Sequence, residues 1–289
     1  MRRALLVGLN HYPDPANNLS GCVNDVLQTS AVLQQAYGFD DAKQIRLLVD
    51  ERARTQAIID RLEWLVAGSG PGDVLVFHYS GHGSQVRDRD GDELSDGLDE
   101  ILCPYDLDWN HPFTDDDLFQ IVSRVGAGAS LIVILDCCHS GTGLRAFPSP
   151  RIPSRPKCLP PPPDVAHRTQ PRIEDCGENR RLTMTVPRHE LALRRFGARA
   201  ARHGAILLAA CRDDQTSADA WIDGDYHGAF TYFLWRTAAE TGFSTSPADL
   251  VRRTRHALKQ AGYEQVPQAE GPAELVALPM LAPFAGVVV

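Results

Sequence analysis

Five short, almost continuously apolar runs recur along the chain: Ala4–Gly8, Gln44–Leu48, Asp73–Tyr79, Ser130–Leu135 and Ala205–Ala210. Runs of this length without polar alternation read as strands buried on both faces. Such strands belong to mostly parallel sheets that helices cover on both sides. The intervals supply the helices. Val23–Ala36 follows Asn17-Asn18-Leu19-Ser20 and ends near Gly38, and Thr55–Ala67 stops at Gly68. Asp116–Val125 opens with acids that suit the positive end of a helix, and Ala229–Thr241 and Pro247–Ala261 follow the fifth strand. The pattern predicts an α/β fold: about six mostly parallel strands in a central sheet flanked by helices.

One stretch breaks the pattern. Ten of the twenty prolines fall between Pro148 and Pro187, where neither helical nor strand periodicity is visible. The sheet pattern resumes at Ala205. Residues 1–289 are therefore read as a single domain, with an inserted proline-rich loop at about 145–190. No apolar run reaches the roughly 18 residues of a membrane-spanning helix. Met1-Arg2-Arg3 leads into an apolar stretch too short for a secretory signal, so a cytoplasmic protein without a membrane partner is expected. The seven cysteines (22, 103, 137, 138, 158, 176 and 211) are odd in number and form no CxxC pair, which argues against a disulfide framework or a structural zinc site.

The net charge of −8 speaks against nucleic-acid binding, and its distribution is uneven. Residues 88–117 hold twelve acids and one base; the rest of the chain carries 28 bases and 25 acids, a net +3. Within that segment, Asp88-Arg89-Asp90-Gly91-Asp92-Glu93 has its glycine at the fourth position rather than the sixth, which excludes an EF-hand loop.

Ligands of open α/β sheets sit beyond the carboxyl ends of the strands. Two ends carry chemistry. The third strand runs into Ser80-Gly81-His82-Gly83 and the fourth into Asp136-Cys137-Cys138-His139-Ser140-Gly141. A histidine between glycines lets both its imidazole and nearby backbone N–H groups approach a ligand closely. A cysteine at a strand end becomes a nucleophile when an imidazole takes its proton. Together they point to a Cys–His dyad. Adjacent strand residues face opposite sides, so only one of Cys137 and Cys138 can face His82.

The motifs Tyr79-Ser80-Gly81-His82-Gly83 and Asp136-Cys137-Cys138-His139-Ser140-Gly141 resemble those of caspase-like cysteine peptidases, in particular the metacaspases and their bacterial relatives, the orthocaspases. Leu19-Ser20-Gly21-Cys22-Val23-Asn24-Asp25, Cys211-Arg212-Asp213-Asp214-Gln215-Thr216-Ser217-Ala218-Asp219 and Gly228-Ala229-Phe230-Thr231-Tyr232 follow in the family's order. The resemblance implies a caspase-like three-layer sandwich. It makes Cys138 the nucleophile and His82 the general base and later acid, with the Gly83 and Cys138 N–H groups as the oxyanion hole. It also implies a monomer that cleaves peptides after Arg or Lys, in an S1 pocket built from Asp25, Asp136, Ser80 and Cys22. Carboxylates in such a pocket would bind a cationic side chain by charge-assisted hydrogen bonds.

The resemblance further implies calcium activation, with Asp99, Asp115 and Asp116 as ligands. Arg145 stands seven residues past Cys138, where calcium-dependent relatives have a further acid. The competing reading of these acids is a solvated loop. The proline-rich insertion lies where caspase-like peptidases place the linker between large and small subunits, and it is dotted with arginines, so self-cleavage or cleavage by an activating protease is expected between about residues 145 and 195. No long segment precedes the first strand, so control is expected in this loop, the metal or a partner. Two alternatives keep the fold: an Asn-specific peptidase of the legumain or transamidase type, and a scaffold without catalysis.

Overall fold

The five apolar runs become strands of one sheet. The computed structural model describes residues 1–87, 98–138, 154–163, 165, 204–212 and 215–281. In chain order these form β1 (Arg2–Gly8), α1 (Cys22–Gln35), α2 (Asp41–Gln44), β2 (Ile45–Val49), α3 (Thr55–Val66), β3 (Val74–Ser80), β4 (Gly83–Arg87) and β5 (Leu98–Leu102). Next come β6 (Phe113–Thr114), α4 (Asp115–Val122), β7 (Ser130–Asp136), β8 (Ser154–Pro156), β9 (Ala205–Ala209), β10 (Ala218–Ile222) and β11 (Asp225–Gly228). Two long helices, α5 (Ala229–Glu240) and α6 (Pro247–Gln260), precede β12 (Gln268–Glu270).

The central sheet has six strands in the order β12-β9-β7-β3-β1-β2. Its neighbours run parallel except β12, which pairs antiparallel with β9. Alternate residues of each strand feed two cores. Leu5, Val7, Leu75, Phe77, Leu131 and Val133 pack with Ile58, Leu62 and Leu65 of α3 and with Leu118 and Ile121 of α4. Leu6, Val76, Ile132 and Ile134 pack on the other face with Val26 and Leu33 of α1, Phe230 and Trp235 of α5, and Leu250 of α6. Both faces are therefore apolar, which is why these strands lack polar alternation. Among the described residues no helix is long and apolar enough to cross a membrane.

Two further sheets of three strands, β4-β5-β6 and β11-β10-β8, stand beside the central one. The second corrects the reading of the insertion as structureless. Ser154–Pro156 is a strand that pairs antiparallel with β10, with Pro156 opposite Ala218 and Arg155 opposite Asp219. Most of the expected processing region, His139, Arg145 and the acids from Asp88 to Asp96 lie outside the described residues.

Candidate active site

Strands β3 and β7 are neighbours in register, with Ser80 opposite Asp136. Their carboxyl ends therefore finish level, and Gly81-His82-Gly83 and Cys137-Cys138 leave the sheet side by side. A side chain at Gly81 would crowd the hydroxyls of Tyr79 and Tyr12, the latter 3.0 Å from where its Cβ would stand, so the turn to His82 needs glycine. The His82 backbone N–H donates to Tyr12 Oη (2.8 Å). Its ring lies 2.8 Å through Nε2 from the Asn17 carbonyl oxygen. A carbonyl only accepts, so Nε2 carries the proton and Nδ1 is left as the basic nitrogen. Nδ1 is buried with no hydrogen-bond partner. Burial pushes the imidazole pKa down to about 4; the Asn17 carbonyl opposes this, and the cations Lys157 and Arg155 add to it.

The two cysteines separate as the alternation requires. Cys137 belongs to the core cluster beneath α3 and α4. The Cys138 sulfur instead accepts the Ser217 N–H and lies 3.8 Å from the Cys211 sulfur. The expected Cys–His pairing is not a direct contact, since the Cys138 thiol is turned toward Ser217 and the His82 Nδ1 has no partner.

Beside these groups lies a buried charged pocket. Asp25, on the first turn of α1, and Asp136, at the end of β7, are both fully buried, as are Ser80 and Cys22. Ser80 Oγ donates to Asp25 Oδ2 (2.7 Å), and the Gly228 N–H donates to Asp25 Oδ1 (2.9 Å). Asp136 accepts from Ser217 Oγ (2.6 Å), Thr231 Oγ1 (2.6 Å) and the Thr231 N–H (3.1 Å). Asp219 holds the entry to α1 by accepting the N–H groups of Ser20 (2.7 Å) and Gly21 (2.8 Å).

The pocket is filled by the chain itself. Lys157, the residue after β8, is fully buried with Nζ 3.0 Å from Asp25 Oδ2, 3.2 Å from Asp136 Oδ1 and 2.9 Å from Ser80 Oγ. Two buried carboxylates would be costly alone; the ammonium offsets them. Burial disfavours the Asp136 charge, but Lys157 and the hydroxyls of Ser217 and Thr231 outweigh it and hold that carboxyl below its usual range. Burial has the upper hand at Asp25, whose carboxyl sits above its usual range despite Lys157. The backbone of Lys157 is held as firmly. Its carbonyl oxygen accepts from the N–H groups of Gly83 (3.2 Å) and Cys138 (3.1 Å), and its own N–H donates to the Ser217 carbonyl (3.0 Å). Upstream, Arg155 Nη1 reaches the Asn18 carbonyl (2.8 Å). Downstream, the Leu159 N–H donates to the Gly83 carbonyl (2.9 Å).

Several of the acids after His82 have local tasks. Asp106 accepts the Thr55 N–H at the start of α3 (2.7 Å), Asp117 closes a capping box with Thr114, and Asp108 accepts from the Asn110 N–H (2.8 Å). Asp99 and Asp116 line a common cavity of about 780 Å³ with His111 and Thr114, and Asp115 opens α4. Carboxylate oxygens of this kind suit a hard cation. Among the described residues, however, no three acidic, histidine or cysteine side chains converge as a metal site.

This arrangement, an acid pocket beside two backbone donors, a cysteine and a buried imidazole at adjacent strand ends, is set on a caspase-type fold. A solved structure of Caspase-1 from Spodoptera frugiperda superimposes with a TM-score of 0.51 at 12% identity, over 93% of this chain and 85% of that one. A Geobacter sulfurreducens protein of known structure superimposes with a TM-score of 0.64 at 24% identity, over 96% of each chain. The family model for the metacaspase, peptidase C14 domain matches residues 2–147. Metacaspase-1 of Schizosaccharomyces pombe is 33% identical over 92% of this chain and 66% of its own length, and Metacaspase-1 of Meyerozyma guilliermondii is 31% identical over 92% and 68%. The chain thus spans about two thirds of the length of these relatives. It belongs to the metacaspase family, cysteine peptidases of the caspase clan.

Sequence reasoning missed four contributors. Lys157 has no partner nearby in sequence. The Asn17 carbonyl is a backbone group. Ser217 and Gly228 lay inside quoted motifs, but nothing in their spacing showed that they border the pocket.

Proposed function

We propose that the chain is an endopeptidase that cleaves after Lys or Arg, and that the Lys157–Cys158 bond is its own first substrate. The observation that carries this is Lys157: its ammonium sits between Asp25 and Asp136 while its carbonyl oxygen lies between the Gly83 and Cys138 N–H groups. A substrate residue in an S1 pocket, with its scissile carbonyl in an oxyanion hole, would make the same contacts. Cys138 attacks that carbonyl, the two N–H groups stabilise the oxyanion, and His82 moves the proton through Nδ1 to the leaving amine. Water then hydrolyses the thioester. The Asn17 carbonyl fixes the tautomer this role requires.

Cleavage after Lys157 would free β8 and open the pocket to other peptides with a basic residue at the same position. We include calcium as an activator, with Asp99, Asp115 and Asp116 supplying hard oxygen donors. The test is a panel of fluorogenic peptides with Arg, Lys, Asn or Asp before the scissile bond, run with calcium and with chelator, together with N-terminal sequencing of fragments. Expected are turnover of Arg and Lys only, dependence on calcium, and a fragment beginning at Cys158 that Cys138→Ala does not form. Preference for Asn overturns the pocket assignment. Intact protein with full activity overturns the processing step, and equal rates in chelator overturn the calcium step.

A further inference from the structure

The residue after the docked lysine is a cysteine, and this gives the proposed cleavage an unusual product. Breaking the Lys157–Cys158 bond leaves Lys157 as a thioester on Cys138 and Cys158 as a new N-terminus. That terminus carries an amine and a thiol on adjacent carbons. The new end is not released at once, because the Leu159 N–H is bonded to the Gly83 carbonyl and Cys158 bridges to Gly83 in parallel register. Cys158 is a thiol rather than half of a disulfide. Burial first, and the neighbouring Cys138 second, push the Cys158 thiol up to about 12.

Resting on the peptidase reading above, we infer that the chain is also a peptide ligase for fragments that begin with cysteine, and that the first fragment it rejoins is its own. The steps balance without any added reagent. In cleavage, the Cys138 sulfur bonds to the Lys157 carbonyl carbon, the C–N bond breaks, and His82 gives its proton to the departing nitrogen. In return, the Cys158 sulfur attacks the thioester, His82 Nδ1 takes the thiol proton, and Cys138 leaves as the thiolate. The Cys158 amine then attacks the same carbonyl through a five-membered ring. The C–S bond breaks, the amide is restored, and the proton lost by nitrogen returns to sulfur. Serine or alanine in place of Cys158 can rejoin only by direct attack of its amine on the Cys138 thioester, the reverse of cleavage, without the faster exchange through a second thiol.

Two consequences follow. Self-cleavage stays reversible while residues 158–159 remain beside Gly83, and it becomes permanent only when that segment leaves and water reaches the thioester. In trans, any peptide with an N-terminal cysteine competes with water for the acyl-enzyme.

The test uses the full chain with acyl-Ser-Arg-Pro-Lys joined to a fluorophore through an amide, the sequence of residues 154–157. Each mixture contains a millimolar excess of Cys-Leu-Pro-Pro, the sequence of residues 158–161, its serine analogue, or its S-methyl derivative. Fluorophore release is expected in all three, with the ligated octapeptide detected by mass spectrometry in the first at roughly tenfold or more above the others. Release without ligation, or equal ligation with serine, overturns the inference and leaves the peptidase reading standing. No release in any mixture overturns both. In the full chain itself, Cys158→Ser is expected to raise the cleaved fraction at a fixed time at least severalfold over wild type; an unchanged fraction overturns the self-rejoining step.

Discussion

Replacing Lys157 with methionine should open the cleft. Methionine keeps most of the length and apolar contact of the side chain but removes the ammonium, which has three partners at 2.9 to 3.2 Å. If the segment stayed docked, Asp25 and Asp136 would remain fully buried without their cation. Breaking a buried pair costs about 3–5 kcal/mol. The remaining hydrogen bonds from Ser217, Thr231, Ser80 and Gly228 argue for the lower end. About 3 kcal/mol corresponds to a shift of roughly a hundredfold toward the undocked state. The apparent Kd of a competing peptide falls by the same factor while the docked state dominates, because affinity is reduced by the fraction of open cleft. The assay is fluorescence anisotropy of a labelled acyl-Ser-Arg-Pro-Arg peptide, with Cys138→Ala in every variant so that nothing is cut. Lys157→Met is expected to bind roughly a hundredfold more tightly than the parent, and Lys157→Arg within a few-fold of it. A change below about threefold in Lys157→Met, or a Lys157→Arg variant that behaves like it, would refute the view that the ammonium holds the segment in place.

Gly228→Ala should damage turnover: its added Cβ would fall among Lys157 Nζ and the carboxylates of Asp25 and Asp136, so activity on Arg and Lys substrates is expected to drop roughly tenfold to a hundredfold, and Tm to fall as well because the same buried atoms are crowded. An unimpaired Gly228→Ala enzyme would show that basic side chains bind elsewhere. A peptidyl-Arg electrophile should label wild type and Cys137→Ala but not Cys138→Ala, because Cys137 lies in the core while the Cys138 N–H faces the docked carbonyl; labelling of Cys138→Ala would reassign the nucleophile. Burial pushes the pKa of His82 down to about 4 and that of His78 to about 3, from 6.5 in the unfolded chain. The unfolded state therefore takes up protons first, and stability should fall as the pH drops below about 6.5, by ~1.4 kcal/mol per pH unit for each histidine until its folded pKa is reached. Thermal unfolding from pH 7 to about 4 measures this; a flat profile, or one that His78→Gln does not make shallower, would mean that these rings are charged in the fold.

The central strands were legible because sheet position and composition coincide: β3, β7 and β9 are buried along their whole length and β1 from Ala4 on, so apart from the buried His78 their residues are apolar or small until the strand reaches the site. Asp136 marks that point, as the one carboxylate in these four strands. Strand β8 was not legible, since its three residues are Ser154, Arg155 and Pro156 and their pairing partner lies more than sixty residues away. Lys157 reads in sequence as a solvated loop base; only the fold brings Asp25 and Asp136 to it. The local acids were ambiguous for a related reason. Capping by Asp106 and Asp117 and cation binding draw on the same residue types at the same density, and the described geometry assigns those two to helix starts.

The third strand of the small sheet has a consequence for the lifetime of the molecule. While β8 is in place, β10 is flanked on both sides, by β8 and by β11. Pro156 sits opposite Ala218 between two bonded positions, where a missing N–H does no harm. Once β8 departs, the backbone of Ala218–Ala220 offers bare donors and acceptors along one edge, with the exposed Trp221 next to it. An unpaired edge of this kind accepts any extended chain, a second copy of the same edge included. On the proposed scheme β8 would both delay activity and shield this edge, and shedding it would start two clocks together, one for turnover and one for self-association.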